Sequence, residues 1–413
     1  MSCENFVVSR RRFLAGTTAL LGGVAVSSMV GDVFTQTAYG APGSNTLVVL
    51  SLRGGSDGLT LVAPHGDTAY AAARPTIAVP TGSLLAKDSM FGLHPELKPL
   101  LPMWQAGTFG AIHAVGMPVP NRSHFSAMEQ VEDADPGSSS RVGWLNRMIG
   151  LIQPDVVQEG MQIGSTLLPT SMAGPASAVA ARQLADLKLP GGDKDAEQDR
   201  MRGALSAMWG KQTSVTGKAA RAALQVSKTM AGLATDAPPA NGAKYPAGDL
   251  GKALGAAARV IRAGVGVRVV TLDYGGWDHH TDLGTLSQGD FKNRAAELAM
   301  GIAAFFTDLG SAADQVTMIT MSEFGRGVAE NGIAGTEHGH GNAMLLLGAG
   351  VRGGQVHGKW PGLSAGKLVD GDLAVTTDYR QVLGDVVKAR FPEASLATVF
   401  PGFSQGAGTG VMR

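Results

Sequence analysis

Short apolar runs of strand length recur along the chain, separated by stretches with helical periodicity. Thr46 to Leu52, Phe109 to Val115, Val267 to Asp273, Gln315 to Met321 and Ala343 to Leu347 are aliphatic or β-branched almost throughout. They lack the alternation expected of a sheet with one wet face, so they read as strands buried on both sides. Of the intervening segments, Asp290 to Leu309 is the clearest helix: Ala295, Ala296, Leu298, Ala299, Ile302, Ala303 and Phe306 share one stripe behind Asp290 as N-cap. This alternation predicts an α/β domain over residues 41–413, a mostly parallel sheet between two helical layers. Residues 188–250 break the rhythm. Pro190-Gly191-Gly192 opens them, Ala237 to Gly242 (APPANG) nearly closes them, and Ala, Lys, Gln and Met fill the middle, which predicts a helical insertion within the domain.

The first forty residues read differently. Ser9-Arg10-Arg11-Arg12-Phe13-Leu14 fits a twin-arginine export signal, and Leu14 to Val30 is too short and polar for a stable bilayer span. Ala38 and Gly40 place small residues before a cleavage point after Gly40. Residues 1–40 are therefore expected to be a signal peptide that engages the twin-arginine translocase. The mature chain is expected in the periplasm or secreted, without a membrane span. The single cysteine, Cys3, leaves with the signal, which removes disulfides, iron–sulfur clusters and thiolate-held zinc from consideration. Lys and Arg together number 34, as do Asp and Glu, a balance that argues against nucleic acid as a partner. The surviving cofactor class is a metal held by oxygen and nitrogen.

Candidate ligands cluster in loops next to the predicted strands, where α/β sheets carry function. After the first strand comes Arg53-Gly54-Gly55-Ser56-Asp57-Gly58, in which Asp57 reads equally as a metal carboxylate or a turn residue. After Val115, Arg122-Ser123-His124-Phe125 opens a helical stretch. Ser123 there is an N-cap or, beside a positive helix end, an attacking hydroxyl. Gly275-Gly276-Trp277-Asp278-His279-His280 puts a carboxylate and two imidazoles within a glycine turn, and Ser322-Glu323-Phe324-Gly325-Arg326 offers a ligand, Glu323, and an anion clamp, Arg326. Glu337-His338-Gly339-His340 precedes the last strand with a His-x-His spacing. Four of the nine histidines fall in the last-named loop and the 275–280 turn, and that concentration carries more weight than any one motif. Gly348 to Gly353 matches a dinucleotide fingerprint, but Gly354, Gly358 and Pro361 deny it the helix such a site requires.

The stretches VVLSLRGGSDGLT, RSHF, GGWDHH, MSEFGRGVAENG, EHGHGN, GAGVRGGQVHGKWPGL, TTDYRQVL and VFPGF resemble, in order and spacing, the family known as domain of unknown function 1501, across about residues 45–403. That family in turn resembles the alkaline-phosphatase-like superfamily. The resemblance implies a two-metal hydrolase site. Asp57, Asp278, His280, Glu323 and His340 would be its metal ligands, and His338 would fill the place left by Phe324, where the superfamily has a histidine. Ser123 would be the nucleophile, with Arg122 or Arg326 neutralising charge in the transition state. The expected cofactor is a pair of divalent ions, zinc or manganese, about 4 Å apart. The expected function is hydrolysis of phosphate or related esters of a small molecule or polymer, by Ser123 or water. The alternative is a degenerate member that binds or organises material outside the cytoplasm.

Overall fold

The computed structural model describes residues 44–135, 141–152, 157–189, 194–233 and 237–413. The expected signal peptide and cleavage point, Cys3 and Pro190-Gly191-Gly192 lie outside them.

The strands are β1 (Thr46–Leu52), β2 (Val62–Ala63), β3 (Gly92–Leu93), β4 (Phe109–Gly116), β5 (Gly160–Ile163), β6 (Ala178–Ala181), β7 (Val269–Tyr274), β8 (Val316–Met321), β9 (Asn342–Gly348), β10 (Val356–His357) and β11 (Thr377–Asp378). Nine of them form one sheet in the order β10-β4-β9-β8-β1-β7-β5-β6, with β11 also on β4. β1 lies between β7 and β8, parallel to both, and β5 continues the parallel set to β6. β9 runs antiparallel to both β8 and β4. β2 and β3 form a separate antiparallel pair. The fold is thus α/β with a mostly parallel sheet between helices. The long mixed order has a direct consequence for function. The carboxyl ends of β1, β4, β7 and β8 and the amino end of β9 all open on the same edge.

Both faces of the sheet are covered, which is why the strands read as unbroken apolar runs. Val48, Leu50 and Leu52 of β1 enter a core with the helices Asp249–Arg262 and Asp290–Leu309. Leu47 and Val49, one residue out of phase, enter a second core with the helices Trp144–Ile152 and Tyr379–Arg390. The period of two along the strand separates these faces. In the helix Asp290–Leu309 the buried positions include Ala295, Leu298, Ala299, Ile302, Phe305 and Leu309, so the stripe drifts by one residue from Phe306 to Phe305 near its end. Its N-cap is Gly289 rather than Asp290, which sits in the first turn facing the positive helix end.

Between β6 and β7 the chain forms the helices Asp195–Trp209 and Val215–Met230, sharing a small core of Leu189, Leu205 and Leu224. The segment that returns to the sheet is pinned by buried Asp308, which accepts from the Ala240 N–H (2.8 Å) and the Tyr245 hydroxyl (2.9 Å) and pairs with Arg262.

Candidate metal centre

The loops at the open edge are shaped by two glycines after β1. Gly54 has φ +118°, and a Cβ there would lie 2.6 Å from the backbone nitrogen of Asp278. Gly55 has φ +73°, and its Cβ would meet the Phe324 ring at 2.6 Å. Only glycine permits both the backbone conformation and the approach. Their N–H groups donate to the two oxygens of Glu323, at 2.8 and 3.0 Å. Glu323 in turn receives the His124 Nδ1 at 3.2 Å. On the neighbouring side a bulge in β4, with Ala114 at φ +56°, breaks the pairing with β9 between His113 and Val115. Such an irregularity re-aims the strand end, and the chain beyond it runs on to the helix His124–Asp133.

At the centre is Asp278. Its Oδ1 accepts from Arg326 Nη2 at 2.6 Å and lies 3.1 Å from His280 Nε2 and 3.2 Å from His338 Nε2. Its Oδ2 lies 3.5 Å from His124 Nε2. The Nε2 atoms of His280 and His338 are 2.9 Å apart. His124, Asp278 and His338 each offer a ligand atom, all within 4.8 Å of one another.

The outer nitrogen of each ring decides its tautomer. His338 Nδ1 is 2.8 Å from the Arg122 carbonyl, which only accepts, so Nδ1 carries the hydrogen. His280 Nδ1 faces the Glu337 carboxylate at 2.9 Å and His124 Nδ1 faces Glu323, with the same result. In its neutral form each of the three rings therefore turns a bare Nε2 lone pair toward an anionic carboxylate. His124 Nε2 is buried with no hydrogen-bond partner. Acceptors crowded to 2.9–3.5 Å repel one another unless a proton or cation lies between them. Metal-binding histidines characteristically have their second ring nitrogen held by a carboxylate or a backbone carbonyl, and all three have that arrangement here. The donor set fits a divalent cation.

The charges agree. Of the three carboxylates around the rings, Asp278 pairs with the Arg326 guanidinium while Glu323 and Glu337 pair with His124 and His280, which leaves an excess of two negative charges where the rings are neutral. Burial opposes ionisation of Asp278, but the Arg326 guanidinium, through its charge and its hydrogen bond, holds the carboxyl below the usual range. Asp278 and His280 keep 44% and 38% of their side-chain surface exposed, so the cluster is open to solvent on one side.

The remaining sequence-predicted residues stand apart from this cluster. Asp57 is fully buried and paired at 2.5 Å with Arg74, itself fully buried and donating also to the carbonyls of Val328 and Gly327. Asp57 also accepts from Thr60 and caps the short helix Gly58–Leu61. A guanidinium thus occupies the place beside Asp57 where a cation was expected. His340 turns away, its Nε2 on the Met117 carbonyl at 2.8 Å, in a buried setting that pushes its pKa down. Ser123 is at the N-cap with its side chain exposed and capping no N–H. The guanidinium of Arg122 is bound to Asp372, and only its carbonyl reaches the cluster. Phe324 packs its ring 4.9 Å from that of His124 and 4.7 Å from that of His338. His124 was given no role by sequence reasoning, although its place beside Ser123 at a helix start was the available signal.

Residues 104–381 match the family described as "Protein of unknown function (DUF1501)", about two thirds of the chain. The chain belongs to that family. The DUF1501 match takes in every member of the cluster and leaves out Gly54 and Gly55, which support it. No curated protein matches. Among solved structures the chain is similar to the alkaline phosphatase from the Antarctic bacterium TAB5, with 10% identity over 76% of this chain and 94% of that one and a TM-score of 0.25. So remote a likeness adds nothing to the reading of the site. No helix among the described residues is long and apolar enough to cross a membrane.

Proposed function

We propose that this DUF1501 protein is an exported, metal-dependent hydrolase of phosphate or related ester bonds, built around one divalent cation. The observation that supports it is the convergence of three imidazole lone pairs on Asp278, each ring fixed from behind by Glu323, Glu337 or the Arg122 carbonyl. His124, Asp278, His280 and His338 would hold the ion. Three nitrogens and one oxygen favour zinc over manganese. The charge excess supports one ion rather than two, since Arg74 already neutralises Asp57. What such a cation supplies is polarisation of an ester oxygen and a lowered pKa for water.

The chain's own part is orientation. Arg326 clamps Asp278 and sets the direction of its free lone pairs. The exposed Ser123 hydroxyl, at the positive end of a ten-residue helix, would receive or attack an anionic ester. Stoichiometric metal analysis of the mature protein tests this reading, followed by a panel of phosphomonoesters, phosphodiesters and sulfate esters with added zinc or manganese. The expected result is one ion per chain and hydrolysis of at least one ester class; a chain that binds no metal refutes it. A second reading, a binding protein without catalysis, is favoured by Arg326, which already satisfies Asp278. It predicts metal or ligand binding with no turnover across the panel.

A further inference from the structure

A cavity of about 230 Å³ opens between the segment 76–80 and the turn 283–287, and none of His124, Asp278, His280 and His338 lines it. Hydrogen bonds fix both of its walls. Glu330 accepts from the N–H groups of Thr76 (2.9 Å) and Ile77 (3.0 Å), and the Val79 N–H donates to the Tyr70 hydroxyl (3.1 Å). Opposite, the Thr285 N–H donates to the Gln288 carbonyl (2.7 Å) and the Phe291 N–H to the Leu283 carbonyl (3.2 Å). Ile77, Val79, Leu283 and Phe291 line the cavity as buried apolar residues, whereas its hydroxyl residues Thr76, Thr285 and Ser287 are exposed. The cavity therefore has an apolar floor and a polar mouth.

Two polar side chains stand among the buried lining residues, Thr60 and His94. The Thr60 hydroxyl is consumed, donating to Asp57 (2.8 Å) and accepting from Arg74 (3.0 Å). His94 is 2% exposed, and its Nδ1 accepts from the Glu96 N–H at 3.2 Å, which puts the hydrogen of the neutral ring on Nε2. Among the described residues nothing accepts from that nitrogen, and a buried donor left unsatisfied is costly. No Asp, Glu, Lys or Arg lines the cavity, so a charged ligand would find no counter-charge in it. We propose that the cavity binds a small uncharged molecule, a single ring bearing a carbonyl oxygen, with that oxygen on His94 Nε2 and the ring against Phe291. A carbonyl only accepts, which complements the His94 donor. The size agrees, since a cavity of about 150 Å³ admits benzene and the larger one here has room for a short substituent as well. Phe291 already meets the His94 ring edge-on, with centroids 5.4 Å apart, so an aromatic surface lies beside the donor. Walls fixed before binding lower the ordering cost of taking up so small a ligand.

Ligand-observed NMR titration of the full chain at pH 7 with acetophenone, ethylbenzene and benzoate tests the proposal. Acetophenone should bind about fivefold tighter than ethylbenzene, the effect of one added hydrogen bond. Benzoate should bind at least about tenfold more weakly than acetophenone, because its carboxylate would be buried unpaired. Ser287→Trp places a bulky ring at the exposed mouth, and it should weaken acetophenone binding about tenfold while leaving the thermal midpoint unchanged. His94→Phe keeps a ring but removes the donor and should bring acetophenone and ethylbenzene to equal affinity. Should that variant fail to fold, Ser287→Trp still decides whether the cavity is the site. Equal affinity for the two neutral compounds in the unaltered chain overturns the His94 contact, and tighter binding of benzoate overturns the uncharged ligand. Binding that Ser287→Trp leaves unchanged, or binding of none of the three, overturns the site itself.

Discussion

Single side chains separate the proposed ligand set from its look-alikes. His338 and His340 are two residues apart, yet one faces Asp278 and the other the Met117 carbonyl. His338→Ala should therefore lose most of the bound metal while His340→Ala keeps it, as read by elemental analysis after dialysis. Equal loss from both would contradict the tautomer argument. Two other histidines govern stability. His113 accepts from the Ala114 N–H through Nδ1 (2.9 Å) and bonds the Val62 carbonyl through Nε2 (3.1 Å), so a second proton has no place to go. His94 likewise accepts from the Glu96 N–H through Nδ1. Burial pushes both pKa values down to about 4. Since an unfolded histidine titrates near 6.5, the unfolded chain binds more protons between about pH 6.5 and 4, and stability must fall as pH drops through that window. Each ring should contribute a slope of about 1.4 kcal/mol per pH unit there, measurable by urea unfolding at several pH values.

Among the elements, the turn after β1 has the most exacting backbone. Gly54 and Gly55 bring two N–H groups onto Glu323, and Glu323 orients His124, so the turn acts on the ligand set at one remove. Gly54→Ala would drive a methyl group into the backbone at Asp278 and strain a positive φ. It should cost roughly 1–3 kcal/mol of stability and weaken metal affinity. An isothermal zinc titration of the folded variant checks the second effect. If affinity is unchanged, the turn is only structural. The helix His124–Asp133 supplies the complementary constraint, fixing one ligand and one exposed apolar residue on the same first turn.

For the whole molecule, the decisive feature is a buried ion pair that links the β1 side to the loop after β8. Arg74 reaches from the helix Thr68–Ala73 region to Asp57 and to the carbonyls of residues 327 and 328. Arg74→Met would leave Asp57 buried and uncompensated, at a cost of about 3–5 kcal/mol. Chemical denaturation should show that loss as a lower midpoint. The metal content of the folded fraction should stay near that of the unaltered chain, because Arg74 contacts no ligand. Complete loss of metal in folded Arg74→Met would argue that Asp57 belongs to the metal centre.

Local sequence was enough for the α/β class, for five strands to within about two residues, and for the loops that hold Asp278, His280, Glu323, Arg326 and His338. Unbroken aliphatic runs have no reading but burial on both faces, and polar residues gathered beside strand ends have few neighbours to satisfy them except one another. Local sequence could not choose among donors of equal chemistry. Asp57 and Asp278 are both aspartates in glycine turns, and only the packing of Arg74, seventeen residues further on, consumed the first. His124 entered the cluster, and His340 left it, because of where β4 and β9 end in space. The direction in which a side chain points at the edge of a sheet depends on partners distant in the chain, and a short-range pattern carries no record of them.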